Sequence, residues 1–244
     1  MMVRIAMVVG LGLAASGFAR GDTPAEVLAR AVKASAGSEE SLAKRRFARI
    51  KQSGVIFLPQ GAAIANREIV QDLPERVRWS GEMRAGAGNV AFVVVLNGLT
   101  GWAKAPTVRE LTEKDYESAR NEAYTMWLAS LVPFKSRSIQ WELQKEGVVN
   151  TRPVFVLKAT SANCPAVTLY IDKESSIVVK ASYSGVEALA NVTKEYVFSL
   201  PKDFEGQRLP GKVQVLENSR KIEEWTTESC TFPAKIEDKE FGKP

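Results

Sequence analysis

Residues 167–183, Val-Thr-Leu-Tyr-Ile-Asp-Lys-Glu-Ser-Ser-Ile-Val-Val-Lys-Ala-Ser-Tyr, are the stretch on which the fold turns. Two runs rich in β-branched residues flank a polar centre. In the first, Val167, Leu169 and Ile171 alternate with Thr168, Tyr170 and Asp172. In the second, Ile177, Val179, Ala181 and Tyr183 alternate with Val178, Lys180 and Ser182. Successive side chains on a strand point to opposite faces, so each run has one mainly apolar face. Asp172 to Ser176 is turn material, because Asp and Ser side chains hydrogen-bond their own backbone. The stretch predicts a β-hairpin, and with it an antiparallel sheet.

The same signature recurs on both sides. Upstream, a period of two begins at Phe47: Ala48, Ile50 and Gln52 alternate with Phe47, Arg49 and Lys51, and the run continues to Leu58. Further strands are predicted at 62–71, 76–83 and 89–96, separated by Pro59-Gln60-Gly61, Leu73-Pro74 and Ala85-Gly86-Ala87-Gly88. Asn97-Gly98 makes a tight turn into a strand that starts at Thr100-Gly101-Trp102. Later strands are predicted at 138–145, 153–160, 192–200, 212–217 and 222–232. Short strands with regular turn signals read as an antiparallel meander of about 10–11 strands. With 244 residues, 45% of them apolar, one large domain over 22–244 is the simplest organisation.

Helices interrupt the pattern at two places. Thr23-Pro24-Ala25-Glu26 combines a cap, a proline at the first helical position and a glutamate that reaches back. Leu28, Ala31, Val32 and Ser35 then share a face, Gly37 ends the helix, and Ser38 caps a short second one to Arg46. Thr112 to Asp115 opens a mid-chain helix. Tyr116, Ala119, Ala123, Trp127 and Leu131, joined by Tyr124 and Leu128, form its apolar side, and Lys114, Glu117, Ser118, Asn121 and Thr125 the opposite one. Val132-Pro133 ends it. Such a helix needs a sheet or cavity beneath it.

Residues 1–21 carry a positive start at Arg4, an apolar segment from Ile5 to Phe18 and small residues near Gly17 to Gly21. That is the pattern of a secretory signal, with cleavage after Ala19 or Gly21. No cysteine lies near that site, so no lipid anchor is expected there, and no later stretch is apolar enough to span a bilayer. An exported protein of the periplasm or cell envelope is expected. Cys164 and Cys230 are an even pair, which favours a disulfide in an oxidising compartment; two unrelated buried thiols are the other reading.

The formal charge of +5 comes from 33 basic and 28 acidic residues; setting Arg4 and Arg20 aside leaves 31 against 28. So small a surplus, spread along the chain, does not argue for nucleic acid, and Lys44-Arg45-Arg46 reads as a solvated helix face. The histidine count is zero. That removes Ser-His-Asp and Cys-His catalysis and the common catalytic zinc sets. No phosphate-binding glycine loop is present. Carboxylate pairs such as Asp172/Glu174 fall in a turn expected to be wet. No catalytic residue, metal or cofactor is expected.

Aromatic side chains in the strands remain: Trp79, Phe92, Trp102, Trp141 and Phe155, with Trp127 on the helix. Two readings stay open. Either these fill a core, or the sheet curves without closing and a helix covers an apolar cavity. Alternation turns Trp79, Phe92, Val94, Trp102, Trp127, Leu128, Leu131 and Leu169 inward in the second case.

The order of these landmarks resembles the periplasmic outer-membrane lipoprotein-sorting proteins, the LolA/LolB-like superfamily. Leu73-Pro74-Glu75-Arg76-Val77-Arg78-Trp79 resembles the proline-containing start of a basic-aromatic strand in that family. Val93 to Trp102 resembles its strand, Asn-Gly turn and tryptophan strand, and the helical insertion follows at the same place. Leu169 to Lys180 resembles the late hairpin, and Phe241-Gly242-Lys243-Pro244 resembles endings in related exported proteins. The resemblance implies an α+β, mainly β fold: one curved antiparallel sheet in an unclosed half-barrel, with an N-terminal helix pair and the mid-chain helix as lid. It further implies a non-enzymatic binder or carrier of a lipid, an acyl chain or a lipidated partner, served by a membrane-bound donor or acceptor. The alternative is a structural or interaction module of the same fold with a filled core. Leu73 stands where the resemblance implies an arginine that latches the lid, and Ser176 where it implies glycine in the late turn.

Overall fold

The computed structural model describes residues 22–86, 88–187 and 190–244. The expected signal segment, residues 1–21, lies outside them. Among the described residues, three helices, α1 (Pro24–Ala36), α2 (Glu39–Ala43) and α3 (Glu113–Ala129), accompany fourteen strands. The first six are β1 (Phe47–Leu58), β2 (Gly61–Asp72), β3 (Arg76–Ala85), β4 (Gly88–Asn97), β5 (Thr100–Lys104) and β6 (Val108–Glu110). After α3 come β7 (Gln140–Leu143), β8 (Gly147–Val149), β9 (Arg152–Thr160), β10 (Val167–Asp172) and β11 (Val178–Glu187). The chain finishes with β12 (Ala190–Phe204), β13 (Gln207–Glu217) and β14 (Arg220–Thr231). The count exceeds the expected ten or eleven chiefly because β6 and β8, of three residues each, are too short to show a period.

All fourteen strands form one antiparallel sheet in the order β6-β5-β4-β3-β2-β1-β14-β13-β12-β11-β10-β9-β7, with β8 also on β9. The first and last long strands meet at its middle, where Ile50 faces Cys230. The sheet does not close: β6 and β7 are its two edges, and the chain between them is α3. A Cβ on Gly54 would lie 2.1 Å from the Glu224 carbonyl oxygen and 2.8 Å from the Trp225 ring, so only glycine lets β1 pass there.

The N-terminal signals act locally as read. Thr23 and Glu26 form a capping box, and Gly37 ends α1 at φ +74°. Leu28, Ala31, Val32 and Ser35 are all buried. Ser38 caps α2, which passes into a single 3₁₀ turn, Lys44–Arg46. That turn overturns one reading: Lys44 and Arg46 are exposed, but Arg45 is only 4% exposed.

The late hairpin forms between β10 and β11, with one correction. A bulge between Tyr170 and Ile171 pairs Tyr170 with Lys180 and Ile171 with Val178, leaving Val179 over. The extra residue inverts the alternation, so Val178 rather than Val179 is buried. Asp172 is not wet either. It is buried and accepts from the Ser175 amide and hydroxyl, both at 2.7 Å. Burial pushes its pKa up, but those bonds and the Arg152 charge outweigh it, holding the carboxyl below its ordinary range. Ser176 takes φ +56°, a glycine-like value.

Two apolar clusters lie on the concave side. The larger joins α1 and the end of α3 to β9–β13. The smaller joins Leu73, Val77, Trp79 and Leu96 to Ala123 of α3. A third sits on the convex side, where Phe241 and Ile236 of the C-terminal segment pack on Val70, Val95 and Trp102. Arg76 ties that segment down through Asp238, and Arg49 through Glu240.

Candidate functional site

The concave face of the sheet is built by parity. Ala48, Ile50 and Gln52 of β1, Ile69 and Gln71 of β2, and Val77 and Trp79 of β3 point the same way. Tyr196 and Phe198 of β12 and Val213 and Val215 of β13 continue the surface. Over it lies the C-terminal half of α3, contributing Ala123, Met126 and Ala129, with Leu131 just beyond its end. Between helix and sheet is a mainly apolar cavity of about 160 Å³. No described helix is long and apolar enough to cross a membrane.

α3 is more deeply seated than its sequence pattern suggests. Asn121 and Thr125, assigned to the outer side, are buried. Thr125 satisfies its hydroxyl on the Asn121 carbonyl, 2.7 Å away, which lets a polar residue face the interior. The helix stops at Ala129, before Val132-Pro133, and Leu131 turns in at φ +66°.

Of the eight residues that the sequence turned inward, Trp79 and Leu131 line the cavity. Val94 and Trp79 line a second, more open chamber beside it. Trp127 packs against both concave clusters, with its ring 5.9 Å from that of Tyr124. Leu128 and Leu169 are 0% exposed and part of the solid core under the helix. Phe92 is half-buried and lines neither space. Trp102 is on the opposite face: it pairs with Val95 and packs in the convex cluster, while Ala103 takes the concave position beside Val94.

The expected disulfide is absent; both cysteines are thiols. Cys164 lies in the β9–β10 loop and Cys230 on β14, four strands away from β10 in sheet order. Neighbouring strands are about 4.8 Å apart, so the two are too distant to bond. Cys230 lines the cavity, and burial, with the Glu205 charge, pushes its thiol up to about 12.

Two polar features went unread in the sequence. Arg45 donates Nε to Gln207 Oε1 (2.5 Å), Nη2 to the Ser35 (2.7 Å) and Arg208 (3.3 Å) carbonyls, and Nη1 to the Ser130 carbonyl (3.2 Å). It thus fastens the last turn of α1, the end of α3 and the start of β13 together. Burial lowers its pKa to about 10. Leu73, at the position where the resemblance implied a latching arginine, is instead a buried wall residue of the cavity. Arg67 lies 3.9 Å over the Trp225 ring and donates Nε to Gln52 at 2.8 Å. Trp225 itself is 1% exposed, and its indole donates to Glu223 at 2.7 Å. Arg67 is marked in the sequence only by its parity with Ile69. Arg45 carries no mark, because its neighbours Lys44 and Arg46 disguise it as part of a charged run.

No protein-family profile matches the sequence, and no curated protein matches it. Solved structures do. A LolA superfamily protein from Nitrosomonas europaea superposes with a TM-score of 0.58 at 13% identity, covering 86% of this chain and 98% of that one. An outer membrane lipoprotein-sorting protein domain from Vibrio parahaemolyticus gives 0.53 at 13% identity, with 84% and 95% covered. A DUF1329 family protein from Desulfovibrio piger gives 0.54 at 13% identity, with 85% and 97% covered. The chain has the LolA-like fold: a single curved, unclosed antiparallel sheet under a helical lid.

Proposed function

We propose that this protein is an exported, non-enzymatic binder or carrier that holds a lipid, an acyl chain or a lipidated partner under α3. The observation that carries the reading is the apolar cavity between α3 and the concave sheet. The signal-like residues 1–21 and the LolA-like fold favour work in the periplasm or cell envelope, where a membrane-bound donor or acceptor would be the partner.

Size bears on how such a carrier would work. The cavity, at about 160 Å³, is close to an engineered apolar cavity of about 150 Å³ that stays dry and takes a benzene-sized guest. The closed form therefore has room for a short stretch of chain. A longer chain needs α3 to lift, and each further methylene that enters contributes about 0.8 kcal/mol toward that. A lid clasped at its end by Arg45 is suited to two positions, one of which the ligand selects.

Delipidated protein titrated with a fluorescent fatty acid tests this. Saturable uptake is expected, and Ala129→Trp, which fills the cavity from the lid, lowers it about tenfold in protein of unchanged circular dichroism. Well-folded protein that takes up no fatty acid overturns the reading and leaves a scaffold with no ligand.

A further inference from the structure

A second chamber, of about 300 Å³, adjoins the apolar cavity and shares Arg67, Trp79 and Glu122 with it. It lies under the N-terminal half of α3, against Val94 of β4 and Ala103 of β5. Its character is different. Arg67 and Arg109 stand in its wall with Asp115, Glu122 and Glu223. Lys194 reaches the chamber indirectly, donating to Ser118 Oγ at 2.9 Å.

The arginines are placed but not used up. Arg109 donates Nη1 to Asp115 (2.9 Å) and to the Glu110 carbonyl (3.3 Å). Arg67 uses Nε on Gln52 and Nη1 on Glu223, the latter at 3.4 Å. Nη2 of each makes no hydrogen bond among the described residues. The carboxylates keep acceptor capacity too, since each ionised carboxylate offers about four lone-pair sites.

We propose that this chamber binds the phosphoethanolamine head of a single-chain amphiphile whose tail passes Trp79 into the apolar cavity. The inference rests on the carrier reading above. Phosphate oxygens accept from Nη2 of Arg67 and Arg109, and the head's ammonium donates to Asp115, Glu122 or Glu223. A purely anionic head meets three carboxylates, and a purely cationic one meets two guanidiniums. A head with both signs satisfies both sets through charge-assisted bonds. The ligand therefore lies with its head toward β5 and the start of α3, and its tail toward Leu131.

Calorimetric titration with three probes of equal chain length, below their micelle concentrations, tests the assignment. They are lauroyl lysophosphatidylethanolamine, dodecyltrimethylammonium and dodecanol. The first is expected to bind at least about tenfold more tightly than the other two. Arg109→Gln, at a side chain 55% exposed and so remote from the core, brings that probe to within about threefold of dodecanol without changing dodecanol's affinity. Equal affinities for the three probes overturn the head-group site, as does an Arg109→Gln protein that keeps the wild-type ratio, while dodecanol binding preserves the carrier reading. Failure to bind any of the three probes overturns the carrier reading and this inference with it.

Discussion

Replacing Arg45 by alanine is expected to release the end of the lid. Four hydrogen bonds go, to Gln207, Ser35, Arg208 and Ser130. Bonds from a charged donor contribute about 1.5–3 kcal/mol each, so the gross loss is about 6–12 kcal/mol. Two terms work against it. Arg45 is 4% exposed and no carboxylate among the described residues bonds it; its fall to a pKa of about 10 corresponds to about 3 kcal/mol of desolvation that alanine relieves. Water entering the polar space that the guanidinium leaves also re-satisfies some of the stranded carbonyls. A net cost of about 3 kcal/mol remains, falling on the joint that Arg45 makes between the last turn of α1, the start of β13 and the end of α3, which opens as one unit. Amide exchange read by mass spectrometry is the assay. Peptides spanning 128–136 are expected to exchange roughly a hundredfold faster in Arg45→Ala, with β1–β4 peptides changed far less. Arg45→Lys, which can keep one or two of the bonds, should fall between. Unchanged exchange at 128–136, or a uniform rise across the whole sheet, would refute the clasp and make Arg45 an ordinary strut.

In a Cys164→Ser background, Cys230 is expected to resist maleimide at pH 8, because its thiol is buried and raised to about 12; Arg45→Ala should make it reactive, and equal rates in both proteins would count against a lid over β14. Glu224 accepts from Lys212 (2.7 Å), Lys221 (3.0 Å) and Gln214 (2.9 Å), which lower it from 4.5 to about 2. Its contribution is therefore complete above pH 4.5 and lost as pH falls toward 2. After allowance for solvent screening it amounts to about 1 kcal/mol, so urea midpoints of wild type and Glu224→Gln should converge as pH falls from 4.5 toward 2. Gly54→Ala forces a Cβ into the Glu224 carbonyl and should cost on the order of 3 kcal/mol in urea unfolding; a loss under about 0.5 kcal/mol would mean that the strand crossing is looser than described.

The fold was largely legible because its signals are local. The capping box at Thr23, the glycine stop at Gly37, the Asn97-Gly98 turn and the alternation of β1 all act within a few residues. What failed was set by partners distant in sequence. The bulge that turns Val178 inward is decided by how β10 meets β11, and neither run shows it alone. Asn121 and Thr125 are buried because α3 packs against β10 and β11 on one arm of the sheet and β4 on the other, which no helical wheel contains. Trp102 is different, since the means to place it were at hand. A tight turn that pairs Asn97 with Thr100 necessarily pairs Val95 with Trp102, so Val94 and Trp102 cannot share a face. The candidate site was only half legible. Its apolar wall follows from parity, whereas Arg45, Arg67 and Trp225 acquire their roles only once strands far apart in the chain come together.

The pairing of β1 with β14 has a consequence for assembly. Ile50 and Cys230 are neighbours across the central seam although nearly the whole chain separates them. Closing so long a loop precedes any reward from the contacts it permits, so the two halves can form hairpins early, but their union must wait for the last residues. A chain that matures in this order stays pliable while it is being made and locks into one sheet only at the end.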